Sequence, residues 1–98
     1  MSTVSIATES IADFHAGHGT VGTAEAKISS VAFPIRKFLV IRADSGNTSV
    51  VMVGTPGDAA NGFALAAGQE TPPLYIDSTD KVRVVGGAAS QAYSWLSN

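Results

Sequence analysis

Two strand-like segments flank a short polar turn near the middle of the chain, and this feature constrains the fold most. Residues 36–44 and 48–54 are rich in aliphatic and β-branched side chains, contain no proline, and are separated by Ser45, Gly46 and Asn47. This pattern predicts a β-hairpin. Apolar side chains occupy both odd and even positions of each segment, so both faces of the hairpin are apolar. We therefore expect both faces to be covered, by the core of the domain or by another subunit.

The composition indicates a single small domain with a weakly charged surface. The chain has 98 residues, the size of one domain, and only 14% of them are charged. Soluble domains contain about 25% charged residues. Serine, threonine, alanine and glycine replace the missing charges, and such a surface suits a protein that is partly covered by neighbours. A small monomer with a neutral surface is the alternative.

Charge, hydropathy and cysteine content exclude several classes of partner. The net charge is −2 and the six basic residues are scattered, so we expect no binding to nucleic acid. No apolar stretch of about 18 residues is present, so we expect no membrane span. The N-terminus lacks the basic and apolar regions of a secretory signal, and synthesis in a cytoplasm is expected. Without cysteine, the chain forms neither disulfides nor cysteine-based metal sites.

Short alternating segments predict an all-β fold, and no long segment has the periodicity of a helix. We predict strands at residues 4–8, 23–29, 35–43, 48–54, 74–78, 81–86 and 91–96, with a further short strand at 63–65. Seven to eight short antiparallel strands favour a jelly-roll-like β-sandwich, with a small barrel as the alternative. We expect one β domain over residues 1–98. Residues 35–98 are its best-defined part, and residues 1–34 combine the first strands with a candidate N-terminal arm.

One candidate metal cluster is formed by Asp13, His15 and His18. Two histidines three residues apart with a nearby carboxylate can hold a divalent ion if the loop curls around it. A closed site needs four ligands, and the chain has no other histidine. We therefore favour an exposed loop near the N-terminal arm and predict no metal site.

No constellation of residues predicts a reaction. Asp77 and Asp80 lie at a predicted turn, where aspartate side chains usually bond to their own backbone, and we favour that role over general acid–base catalysis. No serine lies in a Gly-x-Ser-x-Gly motif, and no phosphate-binding glycine loop is present. We predict no catalytic residues, no cofactor and no enzymatic activity.

Three aromatic residues, Tyr75, Tyr93 and Trp95, could form a platform that stacks on a sugar ring. A carbohydrate-binding module, or a receptor-binding knob of a phage fibre or spike, is therefore the alternative function. The competing interpretation, which we favour, is that Trp95 closes the core or fills a subunit contact.

An ordered set of short motifs runs through the chain from about residue 36 to residue 96. The motifs are Arg42-Ala43-Asp44 with Asn47-Thr48, Val51-Met52-Val53-Gly54, Asn61-Gly62-Phe63-Ala64-Leu65 with Ala67-Gly68, Leu74-Tyr75-Ile76-Asp77, Val82-Arg83-Val84-Val85-Gly86, Ala88-Ala89-Ser90-Gln91 and Ser94-Trp95-Leu96. Each motif is a common strand or turn pattern, and only the ordered set is distinctive. In that order they resemble a family of small β proteins encoded by tailed bacteriophages.

The resemblance implies a virion structural protein of jelly-roll type, in particular a capsid decoration (cement) protein. Such proteins sit as trimers on the outside of the phage head, contact the major capsid protein and brace neighbouring capsomers. The implied location is the head surface of the virion, after synthesis in the cytoplasm of the bacterial host. Similar jelly rolls also serve as knobs on fibres or spikes, and the family carries no catalytic motif.

A trimeric assembly would also explain why the predicted hairpin is apolar on both sides. A closed threefold contact would cover one face of the hairpin and account for the low charge of the chain. We expect the subunit interface to be the face formed by Phe38 and Val40 with Val51 and Val53.

Overall fold

The computed structural model describes residues 15–98, which form two antiparallel β-sheets packed face to face. The strands are β1 (His15–Val21), β2 (Ala26–Lys27), β3 (Leu39–Ala43), β4 (Val51–Gly54), β5 (Phe63–Leu65), β6 (Arg83–Gly86) and β7 (Gln91–Ser97), with short 3-10 turns at Ala59–Asn61 and Thr79–Lys81. The predicted all-β sandwich is confirmed. The strand predicted at residues 4–8 lies outside the described residues.

The order of the strands is that of a jelly roll. One sheet has the order β1-β7-β3 and the other β2-β6-β4-β5. Residues 68–74, which we call the edge segment, run beside β3 as an irregular fourth member of the first sheet. Leu39 and Leu74 exchange both backbone hydrogen bonds, at 2.9 and 2.8 Å, and the Thr71 amide donates to the Ile41 carbonyl at 2.8 Å. With this segment, four strands face four strands in the jelly-roll arrangement.

The predicted central hairpin is wrong, because β3 and β4 belong to different sheets. Residues 44–50 carry the chain from one sheet to the other and bond to the start of β7. The Asn47 side chain donates to the Ala92 carbonyl at 2.8 Å and accepts from the Ala92 amide at 2.7 Å. The Ser49 amide donates to the buried side chain of Gln91 at 2.8 Å. The Asn47 and Gln91 side chains thus form hydrogen bonds with backbone groups that would bond to the neighbouring strand in a hairpin.

Strand β1 replaces the loop predicted near its position. It pairs along its whole length with β7, so that Gly17 lies opposite Trp95 and Gly19 opposite Tyr93. The loop prediction is wrong. It followed from the composition of this stretch, which contains few of the β-branched residues that favour strands. Its pairing with β7 instead places two glycines beneath aromatic side chains of the neighbouring strand.

The strand predicted at residues 74–78 is reduced to isolated bridges at Leu74 and Ser78. Pro72 and Pro73 precede it and supply no amide donors, which limits regular pairing at this edge of the sheet.

No helix in residues 15–98 is long and apolar enough to cross a membrane.

The core lies between the two sheets and contains inward-facing residues of both. Its most completely buried aliphatic residues are Leu39, Ile41, Val51, Leu65 and Val84. In β7 the burial alternates without a break, as the sequence pattern predicted, and its even-numbered side chains face away from the core. The outer face of the three-stranded sheet is therefore built from these even-numbered residues and their neighbours.

Candidate functional site

An uncharged apolar strip lies on the outer face of the three-stranded sheet. Ala16, Leu96 and Val40 form one row across β1, β7 and β3, because Leu96 is paired with both of the others. Phe38 precedes Val40 by two residues and lies on the same face. Leu96 is 38% exposed, and Val40 and Phe38 are half-buried. We call these four residues the outer strip.

The rest of this face carries little charge. The other outward-facing residues of the three strands are His18, Thr20, Arg42, Ala92 and Ser94. Arg42 is the only one of them that is charged throughout the physiological pH range. A face with few charged groups loses little hydration when another protein covers it, so the outer strip is a suitable contact surface.

The structure separates the four residues predicted to form a subunit interface. Phe38 and Val40 lie in the outer strip, whereas Val51 and Val53 point into the core with 0% and 5% exposure. The assignment of Val51 and Val53 to an interface is therefore corrected. It assumed a hairpin with a shared face, but β3 and β4 lie in opposite sheets, and the inner face of β4 is covered by this chain itself.

The three aromatic residues predicted as a sugar platform do not share a surface. Tyr93 and Trp95 are buried on the inner face of β7, with 6% and 4% exposure, and Tyr75 is 81% exposed. The Tyr93 hydroxyl donates to the Ile28 carbonyl at 3.0 Å. The rings of Trp95 and Phe33 are packed with their centroids 5.9 Å apart. The platform prediction is wrong, and Trp95 fills the core, as the competing interpretation expected.

The two histidines of the candidate metal cluster lie on opposite faces of β1, because an odd spacing in a strand reverses the side-chain direction. His15 stacks on Phe33 with ring centroids 4.5 Å apart, and His18 is exposed on the outer face. Asp13 lies outside the described residues. Within residues 15–98, no group of three or more His, Cys, Asp or Glu side chains is placed to hold a metal ion.

Asp77 and Asp80 take part in ion pairs around a short turn. The Asp77 carboxylate lies 2.8 Å from the Lys81 ammonium, and the hydrogen bond from Lys81 holds the pKa of Asp77 below its ordinary value of 3.8. Asp80 lies 3.4 Å from the ammonium of Lys27, and its amide donates to the Ser78 hydroxyl at 3.2 Å. Both residues lie at the predicted turn, but their carboxylates are held by lysines, and the side chain that accepts from the turn backbone is Ser78.

An apolar groove between the edges of the two sheets was not predicted from the sequence. It has a volume of about 350 Å³ and is lined mainly by Val53, Phe63, Pro72, Leu74 and Val82. Phe63 lies at the start of the edge strand β5 and is 55% exposed. Local sequence patterns do not identify the groove, because β4, β5 and the edge segment come together only in the folded sandwich.

No protein-family model, curated protein or solved structure matches this chain. The outer strip and the apolar groove are therefore the structural observations on which a functional interpretation depends, beside the resemblance noted in the sequence. The outer strip is a candidate surface for contacts with other molecules, and the groove lies at the open edge of the sandwich.

Proposed function

We propose that this chain is a virion structural protein of a tailed bacteriophage, a decoration protein that binds the outer surface of the head as a homotrimer. The observation that supports this proposal best is the outer strip, an apolar surface on a jelly-roll sandwich that is bordered by Arg42 and Glu70. The ordered resemblance to decoration proteins adds support from the sequence. The proposed partner in the virion is the major capsid protein.

The geometry of the outer strip suits a contact between copies of the chain. Its row crosses three adjacent strands, about 4.8 Å apart, so Ala16 and Val40 are separated by roughly 10 Å with Leu96 between them. Fully burying an exposed aliphatic side chain contributes about 1.5–3 kcal/mol, and these half-buried residues gain a fraction of that each. In a closed ring of three subunits, the outer strip of each copy contacts a second surface of its neighbour, so the same contact is made three times and the ring closes.

An assembled trimer needs only modest contacts with the capsid. Each trimer presents three copies of any capsid-binding surface, so that the first contact raises the effective concentration for the others. Binding to the capsid in this way depends on the shape and chemistry of the surface of the trimer, and it requires no catalytic residues.

Binding to phage heads tests the proposal. Expanded heads of the encoding phage, prepared without a decoration protein, are mixed with the purified chain and sedimented. We expect saturable binding and an increase in the temperature at which the heads disrupt. Val40→Asp should bind weakly, and Met52→Asp, which places the same charge at a half-buried outer position of the other sheet, should bind like the natural chain. A chain that remains in the supernatant at all concentrations would contradict the proposal.

A further inference from the structure

An asparagine–glycine pair, Asn61 and Gly62, joins the 3-10 turn Ala59–Asn61 to strand β5, and both residues are exposed to water. Asparagine is a thermolabile residue, and it reacts most readily before glycine, whose missing side chain leaves the amide nitrogen open to reaction. Asn61 is the one asparagine in the sequence that is followed by glycine. The pair is therefore a candidate site for spontaneous deamidation.

Deamidation at such a pair proceeds through a cyclic imide. The backbone nitrogen of Gly62 bonds to Cγ of Asn61, the bond from Cγ to Nδ2 breaks, and ammonia leaves with the proton that the backbone nitrogen gives up. Water then opens the imide ring at either carbonyl carbon, and the products are aspartate or isoaspartate. Both products carry a negative charge that asparagine lacks.

The fold requires glycine at position 62. Gly62 lies so close to β4 that a Cβ atom on it would collide with the carbonyl oxygen of Val53, and it would lie 3.0 Å from the carbonyl oxygen of Ala59. Phe63, the next residue, is paired with Val53 at the start of β5. A larger residue at position 62 would displace this start, so the contact that positions β5 also retains the labile pair.

In the folded chain, both reacting groups take part in hydrogen bonds. The Gly62 amide donates to the Ala59 carbonyl at 2.9 Å, and Nδ2 of Asn61 donates to Oδ1 of Asp58 at 2.8 Å. Ring closure requires the amide to lose its proton and the Asn61 side chain to turn toward Gly62, so both bonds must break. The turn therefore protects Asn61 as long as it is closed.

Glu25, which lies in the chain between β1 and β2, holds the turn closed from outside. Its carboxylate accepts hydrogen bonds from the amides of Gly57 and Ala59, at 2.8 and 3.2 Å. Glu25 is exposed, and Ala59 is the one residue of the turn that is buried. Because a segment held by few, solvent-exposed hydrogen bonds opens at a lower free energy than the whole domain, we expect the turn to open while the core stays folded.

We propose that Asn61 is a deamidation site whose reaction is controlled by the opening of this turn, and that the bonds to Glu25 set how often the turn opens. The new carboxylate would face that of Asp58, in place of the hydrogen bond that now joins the two side chains. Isoaspartate also lengthens the backbone by one carbon where Gly62 lies against Val53. Both changes disfavour closure, so the modification loosens β5 irreversibly.

The rate of deamidation in mildly alkaline buffer tests the proposal. Ion-exchange chromatography separates the more acidic products, and mass spectrometry of peptides locates the modified residue. We expect Glu25→Ala, which removes both acceptors, to deamidate several-fold faster than the natural chain at a temperature where both are folded. The natural chain unfolded in urea should react faster still. Equal rates for Glu25→Ala and the natural chain, or for the folded and unfolded natural chain, would overturn the proposal.

Asn61→Gln checks the position of the reaction. Closing an imide ring from glutamine requires a larger ring, so this variant should form the acidic product far more slowly than the natural chain. An acidic product that forms at the natural rate in Asn61→Gln would place the reaction elsewhere and overturn the assignment to this site.

Two further variants separate the opening of the turn from other effects. Gly17→Ala weakens the packing of β1 against β7, in the other sheet, and Glu70→Ala removes a carboxylate from the edge of that sheet. Both should deamidate at the rate of the natural chain. If either reacts as fast as Glu25→Ala, the bonds to Glu25 do not control the opening, and the proposal is overturned. These rates are measured on the full chain in solution, so they do not depend on the proposed function.

Discussion

Gly17 and Trp95 are paired across β1 and β7, and the indole of Trp95 occupies the space that a side chain at position 17 would need. A Cβ atom on Gly17 would lie 2.6 Å from Nε1 of Trp95. Gly19 and Tyr93 repeat the relationship, with the Tyr93 hydroxyl 2.9 Å from such an atom. A side chain at either position would force the aromatic ring opposite it to shift, so glycine permits the aromatic packing across this edge strand.

We expect Gly17→Ala to lower the free energy of unfolding by about 1–3 kcal/mol, because the buried ring of Trp95 has little room to move aside. Gly22→Ala is the matched control, since an added Cβ there has no atom within 4 Å. We expect the control to change stability by less than about 0.5 kcal/mol. Urea denaturation measures both variants. If the two variants lose the same free energy of unfolding, the contact between position 17 and the Trp95 ring is not a constraint on the packing of the core.

Burial raises the pKa of Tyr93 above its ordinary value of 10.0. The folded state therefore holds this proton more tightly than the unfolded state. The resulting stability is fully present below pH 10 and is lost as the pH rises through the folded pKa. Tyr75→Phe leaves Tyr93 as the only tyrosine, so the absorbance of its phenolate can be followed alone. We expect a higher pKa in the native protein than in concentrated urea, and equal values would contradict the burial of Tyr93.

Glu25 fixes the loop between β4 and β5 through its carboxylate. Its two oxygens accept hydrogen bonds from the amides of Gly57 and Ala59, at 2.8 and 3.2 Å, and these bonds hold the pKa of Glu25 below its ordinary value of 4.5. The stability that they supply is present above pH 4.5 and is lost as the pH falls through the folded pKa. Thermal unfolding between pH 7 and pH 3 should show a smaller loss of Tm for Glu25→Gln than for the natural chain. Glu70→Gln, at the edge of the other sheet, is the control for the removal of one carboxylate. Equal flattening in both variants would contradict the role of the two amide hydrogen bonds to Glu25.

Val40→Asp should dissociate the assembly while leaving a folded monomer, because it places a charge within the outer strip, beside Leu96. Met52→Asp introduces the same charge at a half-buried position on the outer face of β4, in the opposite sheet, and should leave the assembly intact. Sedimentation velocity distinguishes the two results, and circular dichroism confirms the fold. If both variants assemble like the natural chain, the outer strip is not the subunit contact.

Much of the β-sandwich could be predicted from local patterns. The alternation in residues 91–96 identified β7 and its buried face, and the predictions at 48–54, 63–65 and 81–86 contain β4, β5 and β6. These strands follow from side-chain periodicity and β-branched composition, which are local properties. The jelly-roll-like class followed from the number and spacing of such segments.

The features that could not be predicted depend on contacts between distant residues. The glycines of β1 form a strand because the aromatic side chains of β7 pack over them. The central turn was read as a hairpin because the sequence does not show that Asn47 bonds to Ala92, or that Ser49 bonds to Gln91, across more than forty residues. The error about the hairpin also placed Val51 and Val53 on an exposed face. Only Phe38 and Val40 of the predicted interface lie on the outside of the sandwich.

The mass of the purified chain in solution, measured by light scattering across micromolar concentrations, tests the proposed assembly first. A trimer of the 10.0 kDa chain has a mass of about 30 kDa, and we expect this mass to persist on dilution through that range. A mass that stays at 10.0 kDa at every concentration would contradict the trimer and remove the main support for a role on the phage head.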